Sequence, residues 1–307
     1  MKKLQHITMS VLGIYLVCVL PFLGTQSFAA MSDIVQIDIG DATVPIRHTT
    51  AISDGGKGVL DNGDALFYGV SLLSPNYHQV YKYTHATGAT EIVSVNSAGE
   101  MGNSDSLDLA YTPDGRYIAF YSYASNLVAG DTNGTIDIFV RDTQLGTTIR
   151  ASVATDGTET DADSLTPSIS DDGRYVAFES MATNLVAGDT NADQDVFVRD
   201  TVLNTTSRVS VNTAGSEVTG TSNTASISAD GRYVSFLSTS AELVADDLNG
   251  MNDMFVRDTR LNTTTRVSVA TDGTEANGNS FANIMSANGR YVVFYSDASN
   301  LVAGDTN

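Results

Sequence analysis

The chain of 307 residues contains no tryptophan, one cysteine, five prolines, and 16 Lys plus Arg against 36 Asp plus Glu. The shortage of basic side chains excludes a phosphate-binding groove, because nucleic acid needs clustered Lys and Arg. It equally excludes adsorption to an anionic membrane surface. A formal charge of −20 instead favours solubility, divalent cations and basic partners. With a single cysteine there is no disulfide framework. At 42% hydrophobic and 17% charged, the chain is neither disordered nor a charged coiled coil. Helical periodicity is missing throughout.

Residues 1–29 read as a secretory signal peptide. Lys2 and Lys3 form a basic start, Val11 to Leu20 an apolar run, Pro21 and Gly24 break it, and Ser27-Phe28-Ala29 fits a small-x-small cleavage site. The run is too short and wrongly flanked for a membrane span, so an uncleaved anchor is the lesser alternative. Cys18 lies inside this run and follows Val17, whereas a lipoprotein cysteine follows a small residue. Cleavage after Ala29 leaves 14 basic against 36 acidic side chains, a net charge of −22, and no cysteine. The mature protein is then exported, periplasmic or secreted, without a disulfide and without membrane insertion.

Residues 30–307 are one repeated unit. Asp114-Gly115-Arg116-Tyr117 recurs as Asp172-Gly173-Arg174-Tyr175, Asp230-Gly231-Arg232-Tyr233 and Asn288-Gly289-Arg290-Tyr291, each step 58 residues. Phe139-Val140-Arg141-Asp142-Thr143 repeats at Phe197 and Phe255, and Arg150-Ala151-Ser152-Val153 is matched from Arg208 and Arg266. A degenerate earlier copy has Asn62-Gly63 at the turn, Val80-Tyr81 at the Phe position and Ile92 to Val95 at its end.

Each unit holds short segments rich in Val, Ile, Phe, Tyr and Thr, divided by Gly, Asp, Asn and Ser. In the third copy four strands are expected: a at Thr166 to Ser170, b at Arg174 to Ser180, c at Asp195 to Thr201 and d at Thr206 to Val211. The Asp-Gly between a and b is a tight turn, where glycine accepts positive φ. Val176 and Phe178 point one way and Tyr175 and Ala177 the other, so both faces are largely apolar, as in a sheet packed between neighbours. Four short antiparallel strands repeated around an axis predict an all-β fold, a β-propeller of four-stranded blades.

Thr112-Pro113-Asp114-Gly115-Arg116-Tyr117-Ile118-Ala119-Phe120, followed by Asp137-Ile138-Phe139-Val140, resembles the WD-like propeller repeat of TolB-type periplasmic proteins. The resemblance covers nearly all of the mature chain and implies a propeller. The unit here is longer than the usual family repeat, and TolB's preceding α/β domain has no counterpart.

Four units run from about residue 52 to residue 277, and a fifth begins near Asn279 and supplies strands a and b. Asp33-Ile34-Val35-Gln36-Ile37-Asp38 and Thr43 to Thr49 align with strands c and d. If that pair completes the last blade, the ring closes with five blades and no open sheet edge. The alternative is a fragment of a six- to eight-bladed protein.

Between strands b and c each unit carries acidic side chains at fixed spacing: Asp131, Asn133, Asp137; Asp189, Asn191, Asp193, Asp195; Asp247, Asn249, Asp253; and Asp305, Asn307, with Asp33 as the missing member in a closed ring. Oxygen donors at alternate loop positions resemble the first half of a calcium loop, and structural Ca²⁺ is the cofactor they suggest. The terminal Glu of an EF-hand loop is missing, and Met251 replaces one oxygen position. The competing reading is a set of Asx turns.

Ten of the twelve arginines occupy repeat positions: Arg116, Arg174, Arg232, Arg290; Arg141, Arg199, Arg257; Arg150, Arg208, Arg266. Such residues suit architectural ion pairs, and Asp142, Asp200 and Asp258 beside the middle set are their expected partners. The long b–c loops and d–a connections emerge on one face, which is expected to be acidic and to carry binding.

No zinc, nucleophile-elbow or phosphate-loop motif is present, and Gly55-Gly56-Lys57-Gly58 lacks the Walker spacing. His48, His78 and His85 are the only histidines after the leader. The expectation is a monomeric, non-catalytic module that binds a protein or glycan through the long-loop face. The alternative is a propeller-type enzyme: a polysaccharide hydrolase or lyase, or the propeller part of an oligopeptidase.

Overall fold

In the computed structural model the described residues are 58–305, apart from residue 61 and residues 72–76, together with 10–11, 14–15 and 46–47. Contacts group the chain into Met1–Asp41 and Ala42–Asn307. Of the first unit, the described residues form one antiparallel strand pair, Ser10–Val11 with Ile14–Tyr15. Everything below concerns the second.

The fold is built from the repeated a–b turn. In the third copy Ser170 N–H donates to the Tyr175 carbonyl at 2.9 Å, and Gly173 N–H to the Ser170 carbonyl at 2.9 Å. Asp172 Oδ1 accepts the Ser170 hydroxyl at 2.6 Å and Arg174 N–H at 3.0 Å. The turn therefore satisfies its own backbone, and Gly173 takes the left-handed conformation it requires, φ 73.

In blades 1 to 4 the strands form a four-stranded antiparallel sheet and pair in chain order. Blade 1 comprises Ile46–Arg47, Ala65–Ser71, His78–Thr84 and Ala89–Ile92. Blade 2 comprises Ser106–Tyr111, Tyr117–Ser122, Asp137–Asp142 and Thr147–Arg150. Blade 3 comprises Ser164–Ile169, Tyr175–Ser180, Asp195–Asp200 and Thr205–Arg208. Blade 4 comprises Ser222–Ile227, Tyr233–Ser238, Asp253–Asp258 and Thr263–Arg266. Blade 5 has two strands among the described residues, Ser280–Met285 and Val292–Ser296. These are five sheets of one kind with no helix among the described residues, the β-propeller repeat that the 58-residue period predicts. The first strands of blades 2 to 5 lie against those of their neighbours in the series. Each first strand of blades 2 to 5 carries a bulge at the same position, where Asp108, Thr166, Thr224 and Ala282 adopt φ 41, 52, 50 and 35.

Both faces of blade 3 are buried. Phe178 and Phe197, opposite one another on strands b and c, stack at 5.9 Å and pack against Ala110, Ala119 and Ile138 of blade 2. Ala177, Val196 and Val198 on the other face pack against Ala225, Val234 and Phe236 of blade 4. The same phenylalanine pair recurs as Phe120–Phe139 and Phe236–Phe255.

One expected strand sits elsewhere. Ile46–Arg47, aligned by sequence with the outer strand of the last blade, pairs with Val70 and Ser71 as the first strand of blade 1. The hairpin partner of blade 1, Gly58–Val59, reaches only Ala65 and Leu66, which leaves the far end of that strand to another segment. Asp33 to Asp38 lies outside the described residues, as do residues 1–9 and 16–29 of the proposed leader.

Candidate functional site

The acidic side chains of the b–c loops converge, and the group at their centre is an arginine. In blade 3, Arg208 Nη1 lies 3.3 Å from Asp189 Oδ1, 2.8 Å from Asp195 Oδ2 and 2.8 Å from Glu217 Oε1. In blade 2, Arg150 Nη1 meets Asp131, Asp137 and Glu159 at 3.2, 3.1 and 2.8 Å. In blade 4, Arg266 Nη1 meets Asp247, Asp253 and Glu275 at 3.2, 3.7 and 2.9 Å. Strand c supplies the second Asp, strand d the Arg, the b–c loop the first Asp and the d–a connection the Glu. One guanidinium thus ties together the three segments that end on this face.

Asp195 is held further. It accepts the Ser210 hydroxyl on Oδ1, and Ser210 Oγ in turn accepts Val196 N–H at 3.0 Å. Asn191 Nδ2 donates to Asp195 Oδ2 at 3.4 Å and to the Val218 carbonyl at 2.8 Å, while its Oδ1 accepts Asp193 N–H at 3.0 Å. Asn133 and Asn249 make the same turn, accepting Thr135 N–H and Met251 N–H at 3.3 and 2.7 Å. These asparagines therefore work as Asx turns, with their oxygen directed to backbone rather than into the cluster. Asp193 Oδ2 accepts Gly220 N–H at 2.7 Å and stands apart. Asp305 ends the described residues, while Asn307 and Asp33 lie outside them.

Burial and mutual repulsion split the carboxylates. Burial, with Arg208 opposing and Asp195 and Glu217 adding, pushes the Asp189 carboxyl up to about 6. Burial and the neighbouring Asp137 push Asp131 up to about 6. Burial likewise raises Asp195 and Asp247. Glu217 goes the other way, to about 2, because the Thr190 hydroxyl hydrogen-bonds its carboxylate and Arg208 stands beside it. Glu159 matches it at about 2 through Thr132.

Asp189, Asp195 and Glu217 bring ligand atoms within 4.8 Å of one another, a spacing that suits a metal ion. Fully ionised, the three carry two more negative charges than Arg208 neutralises. The oxygen donors otherwise needed for six- or sevenfold coordination are spent on backbone, and Arg208 holds the centre. The donor set in this arrangement suits a guanidinium better than calcium.

Three members of the clusters were not legible as partners in the sequence. Glu159, Glu217 and Glu275 recur every 58 residues in the d–a connections, a period they share with Arg150, Arg208 and Arg266. Asp142, Asp200 and Asp258 do not pair with the adjacent Arg141, Arg199 and Arg257. Neighbours in a strand point to opposite faces, so the two cannot meet. Asp200 instead takes a forked pair of bonds from Arg174, Nε to Oδ1 at 3.0 Å and Nη2 to Oδ2 at 2.7 Å. Arg199, buried, donates to Thr206 Oγ1 at 3.2 Å and to the Ala154 carbonyl of the preceding connection at 3.4 Å. His78 and His85 flank the same strand at opposite ends, roughly 20 Å apart by strand rise. His78 bonds Asp105 at 3.1 Å, and the His85 ring packs over Gly63.

Among the described residues of the b–c loops and d–a connections, the exposed charged side chains are acidic: Glu100, Asp156, Asp161, Asp163, Glu242, Asp246, Asp272 and Asp297. The arginines on that side are consumed in the clusters.

The fold defines the class, a β-propeller built from one internal repeat. No family model and no curated protein matches the sequence. Among solved structures the chain is similar to a putative TolB from Agrobacterium tumefaciens, 16% identical over 77% of this chain and 73% of that one, TM-score 0.45. It is also similar to TolB from Acinetobacter baumannii, 16% identical over 71% of this chain and 42% of that one, TM-score 0.40. The tricorn protease is similar at 13% identity over 78% of this chain and 23% of that one, TM-score 0.48. The chain therefore spans less than half the length of the last two. Its propeller architecture rests on its own repeated four-stranded sheets.

Proposed function

We propose that the chain is an exported, non-catalytic propeller that binds a protein or glycan through the face of its b–c loops and d–a connections. The observation that carries this reading is the charge of that face: its exposed charged groups are acidic, and the guanidinium clusters brace the loops that present them. Loops on a rigid scaffold bind with little ordering cost. A basic protein surface, or a glycan bearing amino groups, is the complementary ligand. Export is supported by the basic start and apolar run of residues 2–20.

Affinity capture from an envelope extract tests the proposal. Native protein is expected to retain a partner that the triple variant Asp161→Lys, Glu242→Lys, Asp246→Lys loses. Capture of nothing, together with turnover in a panel of glycan and peptide substrates, overturns it in favour of an enzyme.

Calcium is a second reading for blade 3 alone, favoured by the three carboxylates within 4.8 Å. Asp189, Asp195 and Glu217 would hold the ion, supplying hard anionic oxygens, once Arg208 turned outward. Calorimetric titration with calcium decides it: no heat and no change in melting temperature removes the metal.

A further inference from the structure

The 58-residue repeat is followed closely at the turns and clusters, but it breaks on the long-loop side where blade 1 meets blade 2. Tyr121, at the end of strand b, is replaced by Glu179, Leu237 and Tyr295 in the later blades, and Tyr123 by Met181, Thr239 and Asp297. Asp108, in the bulge, gives way to Thr166, Thr224 and Ala282, and His78 to Ile136, Gln194 and Asn252. Positions that hold the scaffold are copied from blade to blade. Side chains that are not copied, and that meet on a loop-bearing face, are available to a ligand.

These side chains form one continuous group. Tyr123 N–H donates to the Asp105 carbonyl at 2.9 Å. Asp105 Oδ1 accepts His78 N–H at 2.6 Å and lies 3.1 Å from His78 Nδ1. The His78 ring stands edge-on to Tyr68 at 6.3 Å between centroids, and the Tyr121 ring edge-on to Tyr123 at 6.4 Å. Asp108 is the bulge residue after Leu107, which pairs with Tyr121. Burial raises the Tyr121 hydroxyl, and Asp108, Tyr123, Tyr68 and Asp105 each add to the rise, so all four act on one oxygen. Blade 3 closes the equivalent place: Glu179 is 8% exposed, and its carboxylate takes the Thr166 hydroxyl and Thr224 N–H. In blade 2 the place is open, with Tyr123 52% exposed and the His78 and Asp105 side chains 34% and 36% exposed.

The chemistry of the group selects its ligand. Among the described residues Asp105 is ion-paired to His78 and to no lysine or arginine. Carboxylates beside the electron-rich faces of tyrosine rings attract an organic cation. A lysine ammonium is held best inside a closed cage, whereas Tyr123 is an open shelf that suits the flat face of a pyranose. Asp105, Asp108, His78 and the tyrosine hydroxyls around it offer donors and acceptors for sugar hydroxyls.

We infer that Tyr68, His78, Asp105, Asp108, Tyr121 and Tyr123 form a subsite for an amino sugar, its ring on Tyr123 and its ammonium toward the carboxylates. The inference rests on the binding function proposed above and narrows it to a glycan bearing free amino groups.

Calorimetric titration of the full chain with a β-linked glucosamine tetramer, at mildly acidic pH where its amines are protonated, tests this. The fully N-acetylated tetramer and an oligolysine peptide are the comparisons. Native protein is expected to bind the glucosamine tetramer at least 10-fold more tightly than either. Tyr123→Ala removes an exposed ring, and Asp108→Asn keeps a residue that accepts the left-handed φ of 41, so both chains are expected to fold. Each is expected to weaken binding about 10-fold. Absence of heat with native protein overturns the subsite, as does unchanged affinity in both variants. Equal or tighter binding of the acetylated tetramer, or of oligolysine, overturns it too. The envelope capture is read separately: a partner retained there while the tetramer fails leaves the broader binding function standing.

Discussion

Tyr175 of blade 3 lies against Gly231 in the turn of blade 4 so closely that a methyl group on that glycine would overlap the ring. The other face of Tyr175 carries the Arg174 guanidinium, 4.8 Å from the ring centroid, which in turn grips Asp200. The same relay, Asp–Arg–Tyr–Gly, runs from Asp142 to Gly173 and from Asp258 to Gly289. Blades 2, 3 and 4 are thereby each docked on the turn of the next.

Gly231→Ala is expected to cost about 3 kcal/mol, because it combines a left-handed φ of 70 with displacement of an aromatic ring. Gly157→Ala, at φ 87 with open space around it, costs only about 1 kcal/mol. Urea unfolding of both variants measures the difference, and equal losses would remove the docking role of Tyr175.

Asp200 is the anchor of its relay. Burial alone would raise its carboxyl; the Arg174 fork and the N–H groups of Leu203 and Val202 hold it below the usual range. A depressed folded-state pKa contributes stability above the ordinary carboxylate pKa, lost as pH falls through the lower value. Asp200→Asn is therefore expected to destabilise by about 1–3 kcal/mol at pH 7 and much less in strong acid, read from melting curves across pH.

Asp189 has the opposite sign. Burial raises its folded-state carboxyl from 3.8 to about 6, so its contribution is favourable in acid and is lost as pH rises from about 4 through 6. Asp189→Asn flattens that decline and leaves the protein at least as stable as native at pH 7. Glu217, lowered from 4.5 to about 2 first by the Thr190 hydroxyl, stabilises above pH 4.5 and ceases to do so toward pH 2. Glu217→Gln is thus destabilising at pH 7 and near neutral at low pH. Chemical denaturation at four pH values separates the two profiles.

Removing the central cation exposes the clusters. Arg208→Met leaves three carboxylates within 4.8 Å and no positive charge among them, at a cost of about 3–5 kcal/mol. Calcium is then expected to raise the melting temperature of the variant more than that of native protein. Equal calcium response in the two would show that the guanidinium does not occupy the cation position.

The repeat, the turn and the alternation of strand b could all be read from the chain, because each depends on residues a few positions apart. Thr166 to Ser170 and Arg174 to Ser180 were placed within two residues of the strands Ser164–Ile169 and Tyr175–Ser180. Asp131 with Asp137, and Asp189 with Asp195, stand at fixed spacing on one loop and strand, and each pair shares one arginine in the structure. What they meet was not legible. Arg208 is 13 residues from Asp195 and Glu217 is 22 from it, and their approach depends on strand d folding back and the connection crossing the loop.

Local chemistry in the sequence therefore settled the 58-residue unit, its four strands and its acidic loop face. Turn formation and two-residue alternation need no distant partner. The folded molecule alone decided which charges pair: Arg174 rather than Arg199 with Asp200, Arg208 at the centre of three carboxylates, and Glu179 buried without a basic neighbour. Those outcomes follow from which faces meet across a seam between blades, and adjacent residues on a strand face opposite seams.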